Sequence, residues 1–145
     1  MSDILLNAVD PALIVELLHA AGCRAEIVPE GDGARVQSAL QGIGFTVNFG
    51  NPQPQTDGGE PRYADCAFRC VLAVNGEIPA DLADRWNRER RFARLARQGS
   101  ALVLNLDLLL AGGVSRDWLR GQIELWDLVL RDYLRFLQTP SAEAA

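Results

Sequence analysis

The sequence predicts an α+β two-layer domain: an antiparallel sheet with its helices packed on one face. Three observations carry this. Several segments alternate apolar and polar residues with a period of two. Tight-turn residues join those segments, so neighbouring strands run antiparallel. Three further segments repeat apolar residues at helical spacing. The expected order is helix, three or four strands, helix, two strands, helix. The 145 residues are 48% hydrophobic, enough to build a substantial core in one domain. That domain is expected to occupy residues 10–138, with Thr139 to Ala145 as a flexible tail.

Asp10-Pro11 opens the first helix, because Asp is a good N-cap and Pro suits the first helical position. Leu13, Leu17, Leu18 and Ala21 mark its apolar stripe, and Gly22 ends it. Ala25 to Val28 and Arg35 to Leu40 read as strands flanking a Gly31-Asp32-Gly33 turn. Phe45, Val47 and Phe49 alternate with Thr46 and Asn48 in a third strand. Asn51 to Arg62, with three prolines and Gly58-Gly59, reads as a polar surface loop. Ala64 to Val74 is the longest clear strand, with Cys66, Phe68, Cys70 and Leu72 on one face. After the Asn75-Gly76 turn, Pro79 starts a second helix carrying Leu82, Ala83 and Trp86 on one side. Phe92 to Arg97 returns to a strand pattern, Gln98-Gly99-Ser100 turns, and Leu102 to Leu108 alternates again. Gly112-Gly113 ends this hairpin, and Ser115 caps the last helix.

The last helix, Ser115 to Gln138, is the most informative element. Leu119, Ile123, Trp126, Leu130, Tyr133 and Leu137 form one face. Trp118, Leu125, Val129 and Phe136 form a second stripe beside it. Together they cover about half the helix circumference, where a roughly 100° stripe suffices to pack on a core. The second stripe needs another cover. The protein's own first or second helix can supply it, or a partner chain can, and the pattern does not choose between them. If it is an interface, Trp118, Leu125, Val129 and Phe136 are its candidate residues.

The chemistry is sparse. A net charge of −5 disfavours nucleic acid and anionic membrane as partners. No secretory signal or transmembrane run is visible, so a cytoplasmic location is expected. Cys23, Cys66 and Cys70 are an odd count without zinc spacing, and Cys66 and Cys70, sharing one strand face, read as small buried hydrophobes. His19, the one histidine, reads as an exposed or capped helix residue. The cluster Arg85, Arg88, Arg90, Arg91, Arg94 and Arg97 reads as a solvated helix face running into a strand edge, with a phosphate or acidic-ligand patch as the alternative. No nucleophile–base pair, P-loop, metalloprotease motif or dinucleotide fingerprint occurs. No catalytic site, metal or cofactor is expected.

The stretch Arg85-Trp86-Asn87-Arg88-Glu89-Arg90-Arg91-Phe92-Ala93 resembles the Trp-Asn segment of the YbjN family of bacterial proteins. The resemblance continues through Leu102 to Asp107, Leu110-Ala111-Gly112-Gly113-Val114-Ser115 and Leu125-Trp126. It implies a fold like that of type III secretion chaperones, which are small, acidic and dimeric and bind extended segments of other proteins. It implies sensory transduction regulation as the role, without an established activity. Trp86, Asn87, Phe92, Gly112, Gly113 and Trp126 carry the family signature and have structural readings. Trp86 plugs the middle helix onto the sheet, Asn87 holds free carbonyls or reaches the next strand, and the glycines permit an unusual backbone path. The expected function is a homodimeric, non-catalytic adaptor or chaperone-like regulator of an unnamed protein partner. The alternative is a small-ligand sensor with a pocket between sheet and helices.

Overall fold

The computed structural model describes residues 4–54 and 61–138. The expected tail at Thr139 to Ala145 lies outside the described residues. The elements run α1 (Pro11–Ala20), β1 (Ala25–Glu30), β2 (Gly33–Leu40), β3 (Ile43–Pro52), β4 (Tyr63–Ala73), α2 (Leu82–Glu89), β5 (Arg94–Gln98), β6 (Ala101–Leu109) and α3 (Arg116–Gln138). The six strands form one open sheet in the order β1-β2-β3-β4-β6-β5. Every neighbouring pair is antiparallel. The chain therefore has an α+β fold. The α2 crossover lets the β5–β6 hairpin return and dock through β6, whose Leu106 lies opposite Phe68 of β4.

Local chemistry sets the helix starts. The Asp10 carboxylate accepts a hydrogen bond from the Leu13 N–H at 2.8 Å, and Pro11 needs no donor partner there. The Ser115 hydroxyl accepts from the Trp118 N–H at 2.9 Å in the first turn of α3. By contrast, α2 begins at Leu82 rather than at Pro79. A turn closed by the Leu82 N–H donating to the Pro79 carbonyl at 3.2 Å precedes it.

Strand boundaries also move. Asn51 and Pro52 belong to β3 rather than to a loop, because Pro52 lies opposite Tyr63 in the ladder. The Gln53 N–H then extends the pairing by donating to the Arg62 carbonyl at 2.7 Å. The strand expected from Phe92 starts instead at Arg94, since a turn occupies Phe92.

The helices and the inward strand residues share one apolar core. Trp126 of α3 stacks on Phe68 at a centroid distance of 5.5 Å and meets Phe45 edge-on at 5.8 Å. Ile14, Leu17 and Leu18 of α1 close the same core. Isolated bridges from Leu6 to Val114 and from Val9 to Tyr63 tie the N-terminal segment to the same end of the molecule. No helix among the described residues is long and apolar enough to cross a membrane.

Strand residues alternate between faces, so the side opposite the helices has its own composition. Glu26, Gln37, Thr46, Arg69, Asn105 and Arg94 lie in register across all six strands. They form one polar row on the face that no described helix covers.

Candidate interaction surfaces

Helix α2 is only eight residues long. A helix that short is marginal by itself and must be held by its neighbours. Trp86 and Asn87 do the holding. The Trp86 indole N–H donates to the Ala93 carbonyl at 3.0 Å. The Asn87 amide donates to the Leu95 carbonyl at 2.9 Å and accepts from the Leu95 N–H at 2.8 Å. That reciprocal pair copies what a neighbouring strand would offer. It satisfies both main-chain groups of Leu95 on β5, an edge strand that would otherwise present them unpaired.

Arg90 completes the clasp. Its guanidinium lies 4.5 Å from the Trp86 ring centroid and 4.8 Å from that of Phe136. It also donates to Asp132 of α3 at 2.7 and 3.4 Å. The hydrogen bond to Asp132 is the main cause that raises the Arg90 pKa above its ordinary value, against a smaller opposing effect of burial. Trp86 itself meets Tyr133 and Phe136 edge-on at 5.5 and 5.3 Å. Thus α2 is fastened to β5 on one side and to the C-terminal half of α3 on the other.

Phe92 is positioned by this clasp. It has φ = 78°, and the Ala93 N–H donates across it to the Arg91 carbonyl at 3.0 Å. That is a γ-turn in the left-handed region, which is strained for a bulky residue. The ring is 62% exposed, with the Arg91 guanidinium 5.3 Å from its centroid. The period-two pattern of the sequence carries no sign of this turn.

The second stripe of α3 divides in two. Val129 and Phe136 are only 9% and 8% exposed within one protomer. Phe136 is covered by Trp86, Arg85 and Arg90. Trp118 is 38% exposed and Leu125 is half-buried. Of the four candidate interface residues, Val129 and Phe136 are thus covered within one protomer, with α2 supplying the cover at the C-terminal end. At about 1.5 Å per residue, α2 spans about 12 Å against about 35 Å for α3, so it cannot reach the Trp118 end.

Gly112 and Gly113 have φ of 89° and 94°, values that suit glycine. A side chain at Gly113 would also bring a Cβ to 3.1 Å from that of Leu5. The turn thereby seats the N-terminal segment beside the start of α3.

The reactive side chains do not converge. The three cysteines are buried and free. Burial pushes the Cys66 thiol up to about 12 and the Cys70 thiol up to about 11, so both stay protonated and inert near neutrality. His19 Nε2 lies 3.2 Å from the Ala25 carbonyl at the end of α1. No group of metal-ligating side chains occurs among the described residues. Of the arginine cluster, Arg90 is a structural brace, Arg94 pairs with Asp107 and Arg88 with Asp84.

The fold and these surfaces define a small, single-sheet α+β protein whose distinctive side chains brace the structure. Its family follows from comparison: residues 10–139 match the YbjN family, described as "Putative bacterial sensory transduction regulator". The chain belongs to that family. Comparison with curated proteins and with solved structures finds no match.

Proposed function

We propose that this chain is a non-catalytic, protein-binding regulator, an adaptor or chaperone-like module of the cytoplasm, and that it works as a homodimer. The observation that carries the reading is the partly open N-terminal end of the second stripe of α3, where Trp118 is 38% exposed while the aromatic ring two turns beyond Val129 is enclosed. Trp is the residue type most enriched where protein interfaces draw their binding energy. The regulatory role of the family supports the same reading. The family signature also fits it, since Trp86 and Asn87 hold an edge strand and a helix in place without touching a reactive centre.

The contact patch is modest. A stable interface needs about 800 Å² from each partner, and half of one helix stripe offers less. The dimer is therefore expected in the micromolar range. Against the alternative of a small-molecule pocket between sheet and helices stands the filling of that space by Trp126, Phe45, Phe68, Tyr133 and Trp86.

Sedimentation across the micromolar range tests the reading, with Trp118→Asp and Leu125→Asp as variants. The wild type should sediment as a dimer, and both variants as monomers with unchanged circular dichroism. A wild type that stays monomeric throughout would remove the homodimer, and dimers that tolerate both substitutions would remove α3 as the contact.

A further inference from the structure

We infer that the open face of the sheet is a binding trough for an extended acidic segment of a partner protein. The inference rests on the reading of the chain as a protein-binding regulator but uses a surface separate from α3.

Arg69 sits at the middle of the six-strand polar row, between Thr46 on β3 and Asn105 on β6. It is half-buried and makes no hydrogen bond or ion pair with any described residue. Its neighbours two residues away on β4, Ala67 and Val71, are small or apolar. The closest acid along β6, Asp107, is already engaged by Arg94 at 3.3 Å and by the Asn105 amide at 2.7 Å. A protein of net charge −5 thus carries, among the described residues, an uncompensated cation at the centre of a face that no described helix covers.

Two shallow depressions flank Arg69. A depression of about 530 Å³ extends from Arg69 towards β5, lined by Arg94, Asn105 and Asp107. A second of about 260 Å³ extends from Arg69 towards β2, lined by Gln37 and Thr46. Arg69 lines both and stands between them, so the two lie side by side across the strands. Their charged lining is Arg69, Arg94 and Asp107, which leaves a net positive charge of one.

Shape and chemistry select the occupant. From β2 to β5 the two cross four strand spacings, about 19 Å at about 4.8 Å each. An extended chain of about six residues spans that length at about 3.3 Å per residue. The amide side chains of Gln37 and Asn105 both donate and accept, which matches the main-chain groups of a peptide. Arg69 offers a fork for a carboxylate. A compact anion would use the fork and leave the rest of the row idle.

The test is fluorescence anisotropy with a fluorescein-labelled octapeptide of alternating Glu and Ser, alongside a Lys–Ser octapeptide and free succinate. The acidic peptide should bind saturably. Arg69→Gln should weaken it about tenfold or more, the value of one charge-assisted contact, and Arg69→Lys should recover part of the loss. Amide resonances of β2, β3, β4 and β6 should shift on titrating the wild type, a readout that needs no variant. The monomeric Trp118→Asp protein should bind equally well, so loss of the dimer and loss of the trough are told apart. Absence of saturable binding, equal binding of the basic peptide, binding indifferent to Arg69→Gln, or resonance shifts confined to the helices would each overturn the trough. Succinate competing as well per carboxylate as the peptide would overturn the extended occupant.

Discussion

The two halves of α3 carry the same apolar periodicity but meet different surroundings. At the C-terminal half, Phe136 lies under Trp86, Arg85 and Arg90, and Asp132 ties the helix to α2. At the N-terminal half, Trp118 occupies the same angular position on the helix and is partly open to solvent. The difference teaches that helix periodicity defines a face, whereas the length of the neighbouring element decides how much of that face is core. An eight-residue helix against a 23-residue helix leaves a remainder.

Phe136→Ala and Trp118→Ala put the largest numbers on that contrast. Truncating a buried Phe costs about 3–5 kcal/mol. For a chain this size that lowers the melting temperature by roughly 10 °C. Trp118→Ala should stay within about 1 kcal/mol in the monomer, the range of surface changes. Differential scanning calorimetry at a concentration below the dimer range separates the two. Equal losses would mean that both halves are core.

Asn87→Ala comes next. It leaves the Leu95 N–H and carbonyl without their partner, a cost of about 1–3 kcal/mol, and loosens the clasp that keeps α2 over α3. The covered half of α3 should then behave more like the uncovered half. Dye binding to exposed apolar surface should rise, and the β5 edge should become a site of aggregation. Unchanged denaturant midpoint and dye binding would show that Trp86 and Arg90 alone suffice to hold α2.

How much of this the sequence carries depends on the range of the cause. Phe45 to Phe49, Ala64 to Val74 and Leu102 to Leu108 each display their alternation locally, so the antiparallel α+β class was legible. Asp10-Pro11 and Ser115 likewise act within one turn of their helices. Phe92 was not legible, because its left-handed turn is imposed by Trp86 and Asn87 seizing Ala93 and Leu95. A pattern of alternating residues cannot report that restraint. The division of Trp118 from Phe136 was hidden for the same reason, since it depends on where α2 comes to rest. The isolation of Arg69 was the least visible feature. It requires the register of four strands and the knowledge that Asp107 is already paired.

The smallest expected effect concerns Tyr133, on the covered side of α3. Its ring is fully enclosed and packs edge-on against Trp86. Its hydroxyl, however, is buried without a hydrogen-bond partner among the described residues. Burial, reinforced by the nearby Cys70, raises the phenol pKa above its ordinary value, so the group stays neutral through the physiological range. Such a hydroxyl contributes desolvation cost without a compensating bond. Tyr133→Phe keeps the ring and deletes the cost, so stability should be unchanged or should rise by about 1 kcal/mol. A marked loss on urea denaturation would instead mean that the hydroxyl is satisfied in solution, and that the C-terminal half of α3 is less tightly closed than the Trp86–Phe136 contact requires.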